Sequence, residues 1–199
     1  LTYKLDEPKT DREIATQIRE LADDLYGVAH FEKPVEMPDV LRQQHVQEEE
    51  YLKGRLASAR KLARYVIMAS LRSSRVALVE HVAGTAQAVE DFALEGFRKS
   101  SHLKGVVHRF EKLAGHPPEN RLSIPLPGWL TDPEAHAAAC SHDERIYLKI
   151  HRLALQMSDQ REAFKAQKLS ELLKQHHLLL AFDNRPITLG DLARRIRSN

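Results

Sequence analysis

The stretch of residues 39–72 constrains the fold of this chain most, because it contains no proline and a single interior glycine, Gly54. Over its second half, small and apolar residues recur at alternating steps of four and three, which places them along one side of an α-helix. At about 1.5 Å per residue, one helix over the whole stretch would be roughly 50 Å long. The pattern predicts a long scaffold helix whose buried seam consists of Leu52, Leu56, Ala59, Ala63, Val66 and Ser70.

The composition predicts a soluble, mainly α protein built as a multi-helix bundle. Of the 199 residues, 29% are charged and only 6% are aromatic, and Leu and Ala dominate the apolar content. The single cysteine, Cys140, excludes an internal disulfide and suits a reducing cytoplasm. No apolar run approaches the roughly 20 residues of a membrane helix, so no membrane partner is expected. The net charge of +2 does not by itself indicate nucleic acid binding.

Proline divides the chain into three predicted regions. Residues 1–115 form a helical domain around the long helix, preceded by an extended lead-in at residues 1–10. Residues 116–133 are rich in proline and form a linker or an edge strand, with the alternating residues 122–126 as the candidate strand. Residues 134–199 form a helical pair that leads into a partial α/β unit.

Three local signals predict where helices begin and bend. Ser74 ends one helix and caps the next. Gly84 lies inside an otherwise helical pattern and predicts a kink. Asp132 followed by Pro133 predicts a capped helix start, because proline fits the first helical position.

The C-terminal part predicts a helix, a strand and a second helix. Residues 178–182 form a compact apolar run between a helix that ends near Gln175 and another over residues 187–196. A single strand is not stable alone. Either this strand pairs with residues 122–126, or its sheet lies outside this chain. The chain opens on Leu1 without a methionine, and we expect it to be a piece of a longer polypeptide.

No motif in the sequence indicates catalysis or cofactor binding. The scattered glycines do not form a phosphate-binding loop, and neither a nucleophile elbow nor a His-Glu-x-x-His motif occurs. One weak metal hypothesis remains, because His136, Cys140 and Asp143 fall on one helix face at steps of four and three. The alternative is a small buried Cys140 beside a surface His136. We expect no catalytic residue, no cofactor and no metal in this chain.

Basic residues form two clusters that are candidates for nucleic acid contact. The first runs from Arg55 to Arg72 on the long helix and includes Arg60, Lys61 and Arg64. The second consists of Arg185, Arg194, Arg195 and Arg197. The alternative for the first cluster is a solvated helix face with ion pairs inside the helix, such as one between Glu49 and Lys53.

Residues 164–196 (FKAQKLSELLKQHHLLLAFDNRPITLGDLARRI) resemble the opening of the second RecA-like lobe in Swi/Snf-type superfamily 2 helicases. In that family a lysine begins a helix with the pattern Lys-x-x-x-Leu-x-x-x-Leu-Leu. An apolar strand then ends in Phe-Thr or Phe-Ser, and a polar turn leads to a helix that opens with Thr-Leu. Asp183 stands where the family usually has Ser or Thr. The matching residues are Lys165 or Lys168, Leu172-Leu173, residues 178–182, and Thr188-Leu189.

Residues 71–78 (LRSSRVAL) resemble the Ser-Ser-x-x-Ala-Leu element in the helical region that bacterial HepA-like members carry between their lobes. The resemblance implies an inter-lobe helical region and the start of lobe two, with Lys168 and Thr188 as further candidate nucleic acid contacts. It implies that ATP and magnesium bind elsewhere in the same polypeptide. The chain is then an accessory segment of an ATP-dependent DNA translocase, inert alone, whose partners are the other lobes and DNA.

Two rival functions remain open from the sequence. One is a stand-alone helical interaction module that docks through residues 39–47. The other is a metal-dependent enzyme that uses His136, Cys140 and Asp143. The sequence leaves the oligomeric state open.

Overall fold

The computed structural model describes residues 8–94, 96–97 and 103–197. This part of the chain is mainly helical, as the composition predicts, and most of the predicted lead-in at residues 1–10 lies outside it. Two short 3-10 turns, Val28–His30 and Gly128–Leu130, accompany the α-helices. The α-helices are α1 (Lys9–Asp23), α2 (Asp39–Gln43), α3 (Glu48–Ser73), α4 (Arg75–Ala83), α5 (Thr85–Asp91), α6 (Val107–Leu113), α7 (Pro133–Gln156), α8 (Gln160–Gln175) and α9 (Pro186–Arg197).

The short helix α4 is the centre of the bundle. It contacts α3, α5, α6, α7 and α9, and apolar side chains on all its sides are buried. A helix that is apolar all round must be enclosed by others, which explains why nine residues organise so much of the core. A second, smaller core joins α3 to the loops on either side of it, through Phe31, Val35, Met37, Leu52, Ala59, Leu122, Leu126 and Leu130.

The three local signals for helix starts and bends are confirmed. The Ser74 side chain accepts a hydrogen bond from the Ala77 amide and caps α4. Gly84 separates α4 from α5 with a φ of 100°, a conformation that favours glycine. Asp132 caps α7 through the Ala135 amide, and proline occupies the first turn.

The prediction of one helix over residues 39–72 is wrong, because the stretch breaks between α2 and α3. His45 adopts a φ of 57° at the break. The N-terminal half of the stretch has almost no apolar seam, so packing does not hold it in one long helix. Glu48, Glu49 and Glu50 then begin α3, where negative charge favours a helix N-terminus.

The predicted edge strand at residues 122–126 is also wrong. This segment is a loop, and its leucines face the smaller core instead of forming a ladder. Pro125 and Pro127 remove the amides that a ladder needs. The nearest β-type contact is a single bridge, in which the Val35 amide donates to the Glu119 carbonyl at 2.9 Å.

The predicted C-terminal strand does not pair with anything in the described part of the chain. Residues 178–182 connect α8 to α9, with neither helix nor sheet geometry. Their apolar side chains are largely exposed, at 75% for Leu178, 70% for Leu180 and 89% for Phe182. The helix–strand–helix unit therefore has its two helices but no sheet.

Within the described residues, none of the helices combines the length and apolar character that spanning a bilayer requires.

Candidate functional site

The two stretches that carry the family resemblance meet in the structure. Ser73 and Ser74 end α3 and cap α4, while Thr188 lies in the first turn of α9. The Thr188 hydroxyl is 2.7 Å from the Ser73 hydroxyl and 2.8 Å from the Ser74 hydroxyl. We call this contact, together with Arg161, Glu162 and Lys165 of α8, the serine–threonine junction. It ties residues more than a hundred positions apart in the chain.

Helix α8 completes the serine–threonine junction with two cations and one carboxylate. Lys165 Nζ donates to the Ser73 carbonyl at 2.7 Å, and Arg161 Nη2 donates to the Leu71 carbonyl at 2.6 Å. These bonds satisfy carbonyls at the end of α3 that have no partner within the helix. Burial, followed by the nearby Arg161, lowers the pKa of Lys165. The buried Glu162 carboxylate accepts from the first amide of α4 at 3.1 Å.

Asp183 has a structural role at this junction. Its Oδ1 accepts from the Ser73 hydroxyl at 2.8 Å and from the Arg185 amide at 2.7 Å. The carboxylate thus shapes the turn into α9 and fastens it to α3. A negatively charged side chain committed to these bonds does not offer the phosphate contact that a hydroxyl at this position would.

A polar cavity of about 300 Å³ opens beside the serine–threonine junction. Its walls come from the outer face of α3 and from the turn before α9, so it joins the two matched stretches. The sequence indicated Arg72, as the end of the basic cluster on the long helix, but it did not indicate Tyr65, which shares a face of α3 with Arg72, or Asn184. The lining residues are Tyr65, Ala69, Arg72, Ser73, Asp183 and Asn184.

Two of the predicted nucleic acid contacts on α3 are engaged inside the protein. Arg55 donates to the His30 carbonyl at 2.6 Å and lies 4.8 Å from the centroid of the Phe31 ring. Arg60 lies 5.7 Å from the centroid of the Tyr26 ring. Their guanidinium groups hold α3 against the segment between α1 and α2. This structural role accounts for both arginines, so nucleic acid binding is not needed to explain them.

The other basic residues predicted on helices fall into two groups. Arg64 pairs with Asp23 at 2.9 Å, and Lys168 pairs with Glu171 at 3.0 Å, both at exposed positions. Lys61 is exposed and forms no hydrogen bond or ion pair with the described residues. Of these three side chains, that of Lys61 is therefore the one without a hydrogen bond or ion pair to the described residues.

The C-terminal candidates are positioned by α9. Thr188 is only 1% exposed, so its hydroxyl serves the junction rather than an external phosphate. Arg194 and Arg195 both bind the buried Asp191 carboxylate, at 2.8 and 3.0 Å. Arg185 is half-buried, and its amide bonds to the Asp183 carboxylate. Two arginines of this cluster are thus engaged by one carboxylate of the same helix.

The three metal candidates on α7 share a face, but their polar atoms serve different partners. Asp143 is buried and accepts three amide hydrogen bonds, from Tyr26 at 2.8 Å, Gly27 at 2.9 Å and Val28 at 3.0 Å. Cys140 Sγ lies 3.8 Å from His136 Nδ1. Burial raises the pKa of Cys140 to about 11, which disfavours the thiolate that metals bind.

Across the described ranges, no three His, Cys, Asp or Glu side chains are grouped so that they could hold a metal ion. Asp143 therefore functions here as a cap for the turn at residues 26–28.

Comparisons of the chain with protein-family models, with curated proteins and with solved structures found no match.

The hydrogen bonds of the serine–threonine junction predict the effect of one substitution on the stability of the fold. Thr188→Val keeps the side-chain shape but removes the hydroxyl, which leaves the buried Ser74 hydroxyl with one partner fewer. We expect a loss of about 1–3 kcal/mol in the free energy of unfolding by urea. Thr16→Val is the matched control, because the Thr16 hydroxyl is exposed on α1. Equal effects of the two substitutions would contradict the role assigned to the junction.

Proposed function

We propose that this chain is the accessory helical segment of a Swi/Snf-type ATP-dependent DNA translocase. It lies between two RecA-like lobes of the same polypeptide and continues into the first strand of the second lobe. In this proposal ATP and magnesium bind the lobes, DNA is the partner of the complete enzyme, and the enzyme acts in the cytoplasm. The segment holds no catalytic residue of its own and braces the motion between the lobes.

The observation that carries the proposal is the apolar segment at residues 178–182. It is a compact apolar run that follows one helix and precedes another, as a strand in an α/β unit does. Leu178, Leu180 and Phe182 are exposed, although apolar side chains in such a strand are normally covered on both faces. A strand of this kind needs neighbours, and lobe two would supply them.

The serine–threonine junction is a second observation that supports the same proposal. The resemblance rests on two stretches that were matched separately, and hydrogen bonds between Ser73, Ser74 and Thr188 join them. Their contact fixes the start of α9, and with it the end of the apolar segment, against the helical bundle. A brace between lobes requires a rigid connection at this place.

The test compares two lengths of the protein. We expect the 199-residue chain to show no ATP hydrolysis with or without DNA, whereas the product of the complete gene hydrolyses ATP when DNA is added. A triple variant, Leu178→Ser/Leu180→Ser/Phe182→Ser, should alter the free energy of unfolding of the chain alone by less than about 0.5 kcal/mol per site, because these side chains are exposed. In the complete product it should abolish most DNA-dependent hydrolysis, because the strand would lose its apolar faces.

The control is Val40→Ser, which removes an exposed apolar side chain from α2 and should leave hydrolysis unchanged. ATP hydrolysis by the purified 199-residue chain would overturn the proposal. So would a complete gene product that lacks a phosphate-binding loop upstream of this segment.

A stand-alone interaction module is the second candidate, and one groove favours it. This groove, of about 560 Å³, has an apolar floor on α3 and the loop after α6, formed by Leu52, Leu56, Ile124 and Pro125. An amphipathic segment of another protein would fit such a floor. The sequence of the complete gene separates the two candidates, since the module requires no lobes on either side.

A further inference from the structure

One face of α3 presents an aromatic ring between two uncommitted cations. Lys61, Tyr65, Ala69 and Arg72 follow each other at steps of four, four and three, so they line one side of the helix. At about 1.5 Å per residue, Lys61 and Arg72 are separated by roughly 16 Å along the axis. Tyr65 lies between them and is 62% exposed. We call these four residues the α3 ridge.

The cations of the α3 ridge differ from the other arginines of this helix. Arg55, Arg60 and Arg64 each contact a carbonyl, a ring or a carboxylate of the same protein. Lys61 and Arg72 form no hydrogen bond or ion pair with any described residue. Intramolecular contacts therefore account for the three arginines and leave the charges of the ridge free for a ligand.

The ridge ends in the polar cavity beside the serine–threonine junction. Tyr65 and Arg72 form one side of this cavity and Asn184 the other. At about 300 Å³ it lies at the lower end of the range for small-ligand sites. Its one carboxylate, Asp183, already accepts two hydrogen bonds from the protein. The cavity thus offers a guanidinium, an amide and an aromatic ring.

We propose that the α3 ridge and this cavity bind single-stranded nucleic acid. Tyr65 stacks on a base, Arg72 and Lys61 bind backbone phosphates on either side, and Asn184 lies within reach of a base edge in the cavity. An exposed ring flanked by cations suits a single strand, whose bases are free to stack, better than a duplex, whose bases are already stacked. The inference rests on the proposed function, because it assigns that function a contact with the nucleic acid.

The test is fluorescence anisotropy on the 199-residue chain with three labelled probes. These are a 20-nucleotide oligothymidylate, an oligouridylate of equal length, and a 20-base-pair DNA duplex. We expect either single strand to bind more tightly than the duplex. Tyr65→Ala should weaken single-strand binding about tenfold, whereas Tyr65→Phe, which keeps the ring, should stay within about twofold. Arg72→Ala should lower the slope of log affinity against log salt by about one.

The matched control for charge is Arg152→Ala, because Arg152 is an exposed arginine on α7 rather than on the α3 ridge. It should change affinity by less than about twofold. Circular dichroism of each variant checks that the exposed substitutions leave the fold intact.

Three outcomes would overturn the inference: equal losses for Arg72→Ala and Arg152→Ala, no effect of Tyr65→Ala, or tighter binding to the duplex. None of these three outcomes changes the ATP hydrolysis expected of the complete gene product. The nucleic acid site and the proposed function can therefore be refuted independently of each other.

Discussion

Replacing Asp143 by alanine is expected to lower the free energy of unfolding by about 3–5 kcal/mol, because three amide donors lose their acceptor. Its carboxylate accepts the amides of Tyr26, Gly27 and Val28, and α7 holds it in a position closed to water. Without it, three amides lose their partner, and each buried unpaired group costs about 1–3 kcal/mol. Urea unfolding followed by circular dichroism measures the loss.

Asp143→Asn separates the hydrogen bonds from the charge. Asparagine keeps one acceptor oxygen, but it presents an N–H₂ group to amides that also donate. We expect a loss of roughly half that of Asp143→Ala. Lys149→Ala, at an exposed position on the same helix, should stay within about 0.5 kcal/mol. An Asp143→Ala protein as stable as Lys149→Ala would contradict the capping role.

Acidification is expected to destabilise the protein through His81. Burial, followed by the positive charges of Arg185 and Arg109, lowers the pKa of His81 to about 4. The ring lies against Tyr147, and its Nε2 atom is sealed from solvent without a hydrogen-bond partner among the described residues. A charged imidazole at this place would be uncompensated, so the folded state keeps it neutral.

The direction of the pH effect follows from proton binding. Between pH 6.5 and about 4 the unfolded chain protonates His81 and the folded chain does not, so stability falls as the pH falls through this window. The full shift corresponds to a loss of about 3 kcal/mol at most, because one pKa unit is about 1.4 kcal/mol. His81→Phe keeps a ring and removes the titration. We expect its unfolding free energy, measured from pH 7.5 to 4.5, to fall less than that of the wild type, and equal slopes would contradict the assignment.

The sequence predicted those parts of the fold that depend on local chemistry. Ser74, Gly84 and Asp132 mark a cap, a break and a second cap, and each acts within a few residues of its own position. The seam of α3 was also correct where its residues pack, as at Ala59 and Ala63. Such features depend only on neighbours along the chain, so the order of residues in the sequence is enough to predict them.

Features that depend on distant partners were not predicted. The capping role of Asp143 requires a turn 115 to 117 residues away, and helix spacing alone placed it in a metal hypothesis instead. The basic cluster on α3 gave no sign that Arg55 and Arg60 would lie against rings of another segment. Conversely, the helical pattern does not show that Tyr65 and Arg72 are both exposed, which also depends on the packing of distant segments.

Residues 178–182 are another case in which the sequence could not show whether the required distant partners are present. Their compact apolar run predicted a strand, and the chain forms neither helix nor strand there. A strand needs pairing with neighbouring strands, and the described residues do not supply them.

Amide hydrogen exchange at residues 178–182 tests the central claim most directly, measured in the 199-residue chain and in the product of the complete gene. In the chain alone these amides should exchange as fast as an unstructured peptide, because no described backbone carbonyl accepts a hydrogen bond from them. In the complete product they should become strongly protected, since a sheet of the second lobe would bond them. Fast exchange in both proteins, or protection already in the isolated chain, would contradict the claim that this segment is one strand of a larger motor lobe.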